Sequence, residues 1–399
     1  MLIIIPKMNQ QKLRILFISS WFPNKVHPFL GNFVEKHANA VALYCNVMLI
    51  HAVFSDSVSG KRYEFDCKKE NSIQIVRIYI SRKYTKIFLL GGFIKFLYYL
   101  KAYLDGYHYM IKQFGRPDIV HANILYPVSW IALLMNVKFK IPFVLTEHWT
   151  AYMPDDPNTP GFFQIFLSRI AAWKAKKITV VSADLQKAMV SCHIKGNYEI
   201  INNVVDLHIF KPNPEKIQNN KTRFIHISSL DDTQKNVSGI LKAVNQLSLI
   251  RNDFELYIVG DGDASPYIQL AKDLHIYQSF VYFNGPQKTE EIVLSLQNSD
   301  CLLMFSNYES FSVVIAEALA CGIPVIASRC GGLVNELSDE HGIFITPNDN
   351  AALVDAMNAM IEHHLDFDSL KLTEFASRYS FENVGKSFLN IYKNIIHQN

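Results

Sequence analysis

Short apolar bursts alternate with helix-periodic stretches along almost the whole chain. Runs at 14–19, 47–53, 73–80, 117–121, 142–146 and 177–182 have strand length, while 32–43, 82–114, 129–135, 168–176 and 183–190 carry helical spacing. A strand, a helix and another strand in succession require a crossover, so the pattern predicts a parallel sheet with helices on both faces. The alternation breaks near Asn202–Asp206, and residues 206–221, with Lys211-Pro212-Asn213-Pro214-Glu215, have the composition of a linker. It restarts with strands at 224–228, 255–259, 281–283, 300–305, 323–328 and 343–345, interleaved with helices at 237–247, 289–298, 313–321, 350–362 and 370–377. Two α/β domains follow, 1–205 and 222–380, each a doubly wound parallel sheet. The amphipathic end of the chain, 381–399, has no strand after it and is expected to cross back and join the first domain.

The candidate chemistry gathers at predicted carboxyl edges of strands, where ligands of such sheets sit. The stretch Asn307-Tyr308-Glu309-Ser310-Phe311-Ser312-Val313 leads from one buried strand into a helix that ends before Gly322. The first helical amides, near Phe311 to Val314, lack intrahelical partners and make a ready anion site. Glu309 and Glu317 frame it. Beside a phosphate, carboxylates suit sugar hydroxyls; the alternative is that Glu309 caps the helix and Glu317 is solvated. Gly31 stands at the first strand-to-helix turn, where it either lets backbone approach a ligand or simply forms the turn. His148 ends the strand at 142–146 and is either a ligand for a sugar or phosphate or a structural histidine. Lys235 precedes a helix after the strand at 224–228, as a phosphate partner or an ordinary surface lysine.

Composition narrows the class. With 39 Lys plus Arg against 36 Asp plus Glu, the net charge of +3 gives no argument for nucleic-acid binding. Six cysteines form no CxxC pair and fit the reduced thiols of a cytoplasmic protein. No GxGxxG follows a strand, which counts against a dinucleotide-binding oxidoreductase. The apolar start is too short for a signal peptide, and no run is long enough to span a bilayer. Residues 82–112 mix lysines with aromatics. They read either as a helix lying peripherally on an anionic membrane or as a core-facing helix with snorkelling lysines.

Taken together, these residues resemble the family-4 retaining glycosyltransferases of the GT-B fold, two Rossmann-like domains facing each other across a cleft. The carriers are Phe22-Pro23 with Gly31, Thr146-Glu147-His148, Val180-Val181-Ser182, Asn203-Val204-Val205-Asp206 and Lys235-Asn236. Further along they are Val259-Gly260-Asp261-Gly262, Phe283-Asn284-Gly285, and Glu309 to Glu317 with Ala320-Cys321-Gly322-Ile323-Pro324-Val325. The resemblance implies a hexosyltransferase-type enzyme moving a sugar from a nucleotide diphosphate sugar to a saccharide or lipid-linked acceptor in surface polysaccharide or glycolipid synthesis. The amides at Phe311, Ser312 and Val313, together with Ser310, Lys235 and Gly31, would hold the pyrophosphate. Glu317 would hold the ribose, Glu309 the transferred sugar, and His148 would face the reacting carbon. Gly260, Phe283 and Gly285 would border the nucleobase. Cofactor and metal would be unnecessary. An arginine usual in the family is replaced by Ser229, and a glycine by Ser310. A sugar-nucleotide epimerase or a non-catalytic nucleotide-sugar-binding protein are the alternatives.

Overall fold

The computed structural model describes residues 12–58, 60–85, 91–216 and 220–398. The chain's first residues and positions 86–90, the apolar start of the basic aromatic stretch, lie outside them.

The first sheet contains β1 (Arg14–Ser19), β2 (Asn46–Ser55), β3 (Tyr63–Glu70), β4 (Ile73–Ser81), β5 (Ile119–Asn123), β6 (Phe143–Glu147), β7 (Lys177–Val180) and β8 (Tyr198–Ile200). Its order is β3-β4-β2-β1-β5-β6-β7-β8. Every pairing is parallel except β3 with β4. The second sheet contains β9 (Thr222–Ser228), β10 (Phe254–Gly260), β11 (Val281–Gly285), β12 (Cys301–Met304), β13 (Val325–Ser328) and β14 (Gly342–Ile345). It is wholly parallel, in the order β11-β10-β9-β12-β13-β14. The strand order reverses between β1 and β5 in the first sheet and between β9 and β12 in the second. Loops leaving the carboxyl ends of those strands diverge and open a crevice.

Besides the single-turn helices, three elements were invisible to the sequence pattern. β3, Tyr-Glu-Phe-Asp-Cys-Lys-Lys-Glu, is an edge strand whose side chains are mostly exposed, so it needs no apolar alternation; its charges also blunt the edge. β8 is three residues long and the helix Ser265–Asp273 buries only Tyr267 and Ala271.

The helices Gly91–Phe114, Leu125–Phe139 and Phe162–Lys174 cover one face of the first sheet, their buried side chains sharing a core with Ile50, Ile78, Val120 and Leu145. Helix Gly91–Phe114 turns Tyr99, Tyr103, Tyr107 and Met110 inward. Tyr99 and Tyr103, read as part of a possible membrane face, therefore belong to the core, while Lys95, Lys101 and Lys112 are exposed. On the opposite face, helix Asn32–Ala42 packs against the last helix, Phe381–His397. Gly385 permits this contact: a Cβ there would lie 2.3 Å from the Ala40 carbonyl oxygen. Tyr392 then reaches the interior, its hydroxyl 2.6 Å from His121 Nδ1. Among the described residues no helix is long and apolar enough to cross a membrane.

Candidate active site

Lys235 and Glu309 are brought together by the strand order. β9 feeds a short helix, Asp232–Lys235, capped by the Asp231 carboxylate, and β12 feeds the loop 305–312. Because β9 and β12 adjoin at the reversal, two side chains 74 residues apart meet: Lys235 Nζ lies 2.5 Å from Glu309 Oε1. Ser306 Oγ donates to the same carboxylate oxygen at 2.8 Å. The two loops are also stitched by their backbones, the Asn307 amide donating to the Gln234 carbonyl at 2.7 Å. The pair is nearly buried, where charges interact more strongly than in water. An ammonium held this way offers its remaining protons to an anion without being free to wander.

Beside the pair begins helix Val313–Ala320. Its preceding residue, Ser312, is left-handed with φ 68° and makes no side-chain cap. That backbone conformation costs a non-glycine residue about 1 kcal/mol or more. It leaves the Ser312, Val313 and Val314 amides without acceptors among the described residues. The Ser312 hydroxyl is buried and likewise has no partner. A buried hydroxyl without a partner, beside half-buried residues with open amides, calls for a ligand. The helix dipole and the lysine together favour a negative one.

The opposite wall belongs to the first domain and carries no charge. His148 is buried; its ring lies 4.4 Å from that of Phe33 and 5.0 Å from that of His37, centroid to centroid. Its Nδ1 is 3.1 Å from Asn203 Oδ1, and Nε2 has no partner. With Asn203 so oriented, Nδ1 carries the proton and Nε2 is a bare acceptor. Burial, then the neighbouring His37, pushes the His148 imidazole well below the usual histidine range, so the ring is neutral. Glu147 anchors this loop from beneath: its buried carboxylate accepts the amides of His148 at 2.8 Å, Trp149 at 2.9 Å and Leu125 at 2.9 Å. Burial raises that carboxyl to about 7, against the lowering by those three hydrogen bonds.

A cavity of about 510 Å³ separates the two walls. His148, Lys235, Glu309, Ser310, Phe311, Ser312, Val313 and Gly260 line it, with Phe33 and Asn203 from the first domain. Four sequence candidates lie outside its lining. Phe283 is packed against the second domain's core, and Gly285 does not reach the cavity, whose far end is formed by Asp261, Pro286 and Gln287. Gly31 is also outside the lining; a Cβ there would lie 2.4 Å from the Trp21 carbonyl carbon. Its missing side chain thus serves the fold of its own loop. Glu317, one helical turn beyond Val313, is buried and ion-paired with Lys36 of the first domain at 3.0 Å. Asn203 and Phe33 were missed as site residues although Gly31 and the Asn203–Asp206 motif marked their neighbourhoods, because which side chains of those loops face the cleft is set by packing between loops. Among the described residues no cluster of His, Cys, Asp or Glu is placed to hold a metal ion.

Two family models match the chain: Glycosyltransferase Family 4 over residues 52–209 and Glycosyl transferases group 1 over residues 209–374. The N-acetyl-alpha-D-glucosaminyl L-malate synthase of Bacillus anthracis is 29% identical over 248 residues, 58% of this chain and 61% of that protein. Sucrose-phosphate synthase from Thermosynechococcus elongatus superposes with a TM-score of 0.77 at 17% identity, over 97% of this chain and 100% of its own. Anabaena HepE in complex with UDP superposes with a TM-score of 0.71 at 17% identity, over 96% of this chain and 100% of its own. The two sheets, the cleft between them and the two matched models lead to one assignment: this chain is a transferase enzyme and belongs to the family-4 glycosyltransferases of the GT-B fold.

Proposed function

We propose that the enzyme is a retaining glycosyltransferase, moving a sugar from a nucleotide diphosphate sugar to a saccharide or lipid-linked acceptor in surface polysaccharide or glycolipid synthesis. The observation that carries this reading is the set of unpaired donors, Ser312 Oγ and the amides of 312–314, facing one cavity with the Lys235–Glu309 pair. The UDP named in the HepE complex supports a donor of this class. A diphosphate at the helix terminus would be gripped by those donors and by Lys235. Glu309, released in part from the lysine, would accept hydroxyls of the transferred sugar, and Glu317 those of the ribose.

As the glycosidic bond to the diphosphate lengthens, positive charge builds on the sugar ring and negative charge on the leaving oxygen. Lys235 and the helix terminus stabilise the second of these, so no metal is required and activity should survive exhaustive chelation. Among the described residues His148 is the one histidine lining the cavity, neutral and held by Asn203. Glu309 is paired with Lys235, and Asp261 stands at the far end, so no carboxylate beside the helix terminus is left free to act as a base. Front-face transfer needs none, because the departing phosphate takes the acceptor's proton. Retention turns an α-linked donor into an α-glycoside; the malate synthase is named for an alpha-glucosaminyl product. The test is a thermal-shift screen of nucleotide diphosphate sugars, followed by NMR of the product's anomeric configuration. No stabilisation by any of them would overturn the reading, and a product of inverted configuration would overturn retention alone.

A further inference from the structure

The outer face of the first domain's helical layer carries two features that neither the core nor the cleft uses. The first is a stripe of large aromatics on helix Phe162–Lys174. Phe162 is 84% exposed and Trp173 is 73% exposed, with Phe163 and Phe166 also exposed. Positions 162, 166 and 173 fall on one side of an α-helix, while Ser168, Ala171 and Ala172 are buried on the opposite side. Scattered surface apolar residues need no explanation, but four exposed large aromatics on one helix do.

The second feature is charge. The Tyr107 and Phe139 rings stack at 4.6 Å, joining helix Gly91–Phe114 to helix Leu125–Phe139, which in turn lies against helix Phe162–Lys174. These three neighbouring helices contain six Lys or Arg residues (Lys95, Lys101, Lys112, Lys138, Arg169 and Lys174) and one acidic residue, Asp105. Asp105 is itself paired with Lys101 at 2.8 Å. The chain as a whole is nearly balanced, with a net charge of +3, so the excess belongs to this layer. Lys174 lies over the Trp173 ring, 4.2 Å from its centroid, which puts a cation and an indole at one spot on the surface. Leu97, Tyr109, Phe114 and Val137 extend the exposed apolar surface across the layer.

We propose that this face docks on an anionic lipid bilayer, with Phe162, Phe163, Phe166 and Trp173 inserted at headgroup depth and the lysines of the three helices held over acidic lipids. Bare aromatics beside unbalanced positive charge match an anionic interface; a second copy of the same face would set like charges against each other. The stripe's N-terminal end also lies on the cleft side of the sheet, because the helix follows β6, whose carboxyl end carries His148. A docked enzyme would therefore present its cleft beside the lipid surface. This surface rests on the proposed transfer reaction only for the origin of the acceptor; the geometry stands without it.

Flotation with phosphatidylcholine vesicles, with and without phosphatidylglycerol, tests the proposal. The wild type should float with the anionic vesicles, less so as salt rises, and scarcely with the neutral ones. The combined variant Phe162→Ser, Phe163→Ser, Phe166→Ser and Trp173→Ser should partition at least ~10-fold less, with its melting temperature unchanged, since these side chains are outside the core. Brominated lipids should quench tryptophan fluorescence of the wild type, and Trp173→Phe should remove that quenching. Equal flotation of the stripe variant and the wild type, or quenching that persists in Trp173→Phe, overturns the proposal. So does a wild type that ignores vesicles but sediments as a dimer that the stripe variant dissociates. A wild type that floats yet binds no nucleotide sugar counts against the proposed reaction and leaves this surface standing.

Discussion

The two walls of the cleft are made from similar folds and opposite chemistry. The second domain brings Lys235, Glu309 and an open helix terminus to the cavity; the first brings Phe29, Asn32, Phe33, His148 and Asn203, none of them charged. The charged wall is held rigidly by hydrogen bonds between loops, the neutral wall by ring packing and by the Glu147 clamp. The contrast teaches a division of labour. Electrostatic stabilisation of a leaving group works best from preorganised charge, while the reacting sugar needs shape and a dry surface around it.

The largest effect should come from the charged wall. Lys235→Ala is expected to remove roughly 2–4 kcal/mol of transition-state stabilisation, read as kcat/KM with a nucleotide-sugar donor. A nearly unchanged kcat/KM would detach this lysine from the phosphate. Glu317→Gln should cost roughly 1.5–3 kcal/mol in kcat/KM, the range for a lost hydrogen bond to a charged group. Its melting curve should stay cooperative. Normal turnover in that variant would remove the ribose role and leave Glu317 as a partner of Lys36 alone.

The neutral wall should show itself in stability rather than in charge. Burial lowers His37 and His51 of the first domain to about 4, and His226 of the second also to about 4. An unfolded histidine takes up its proton near 6.5, so unfolding binds protons between about 6.5 and 4 and stability falls as pH drops through that window. Each such group contributes on the order of 1–3 kcal/mol. The raised Glu147 acts in the opposite sense: its contribution to stability falls as pH rises from about 4.5 to about 7. Burial also holds His121 and His148 of the first domain well below the usual histidine range, so four histidines there outweigh Glu147. Hydrogen exchange at pH 7 and pH 5 should show greater loss of protection in the first domain, with His37→Gln reducing the difference. Equal losses in the two domains would contradict the comparison. The smallest effect is expected for His148→Ala, about 1–2 kcal/mol in kcat/KM, since it removes one uncharged contact. A drop as large as that of Lys235→Ala would give the neutral wall a chemical role it has not been assigned.

Much of the fold was legible because parallel strands buried on both faces are apolar over most of their length; β12 is an unbroken run of that kind, and β1 and β6 carry the runs Ile15–Ile18 and Phe143–Leu145. β3 escaped notice because an edge strand escapes this requirement. In the site, Glu309, Lys235 and the helix beginning at Val313 could be located from the strand-to-helix transitions around them. Phe283 and Gly285 could not be judged the same way, since whether a residue at the end of β11 faces the cleft or the core depends on the register of its neighbour. That register shifts between Ile258 and Val259 of β10. The aromatic stripe was legible as apolar residues but not as an exposed face. Tyr99, Tyr103 and Tyr107 of helix Gly91–Phe114 looked equally suited to a membrane and are in the core.

Local pattern determined most of the strands and helices, where the chain changes from one sheet to the next, and which loops leave carboxyl edges. Those are properties of side-chain periodicity within a few residues. Only the tertiary structure decided that Lys235 meets Glu309, that Lys36 crosses to Glu317, and that Asn203 holds the ring of His148. Each of those contacts joins loops or helices brought together by sheet order or by the cleft. The energy that selects them comes from burying and pairing groups far apart in sequence, which no local periodicity records.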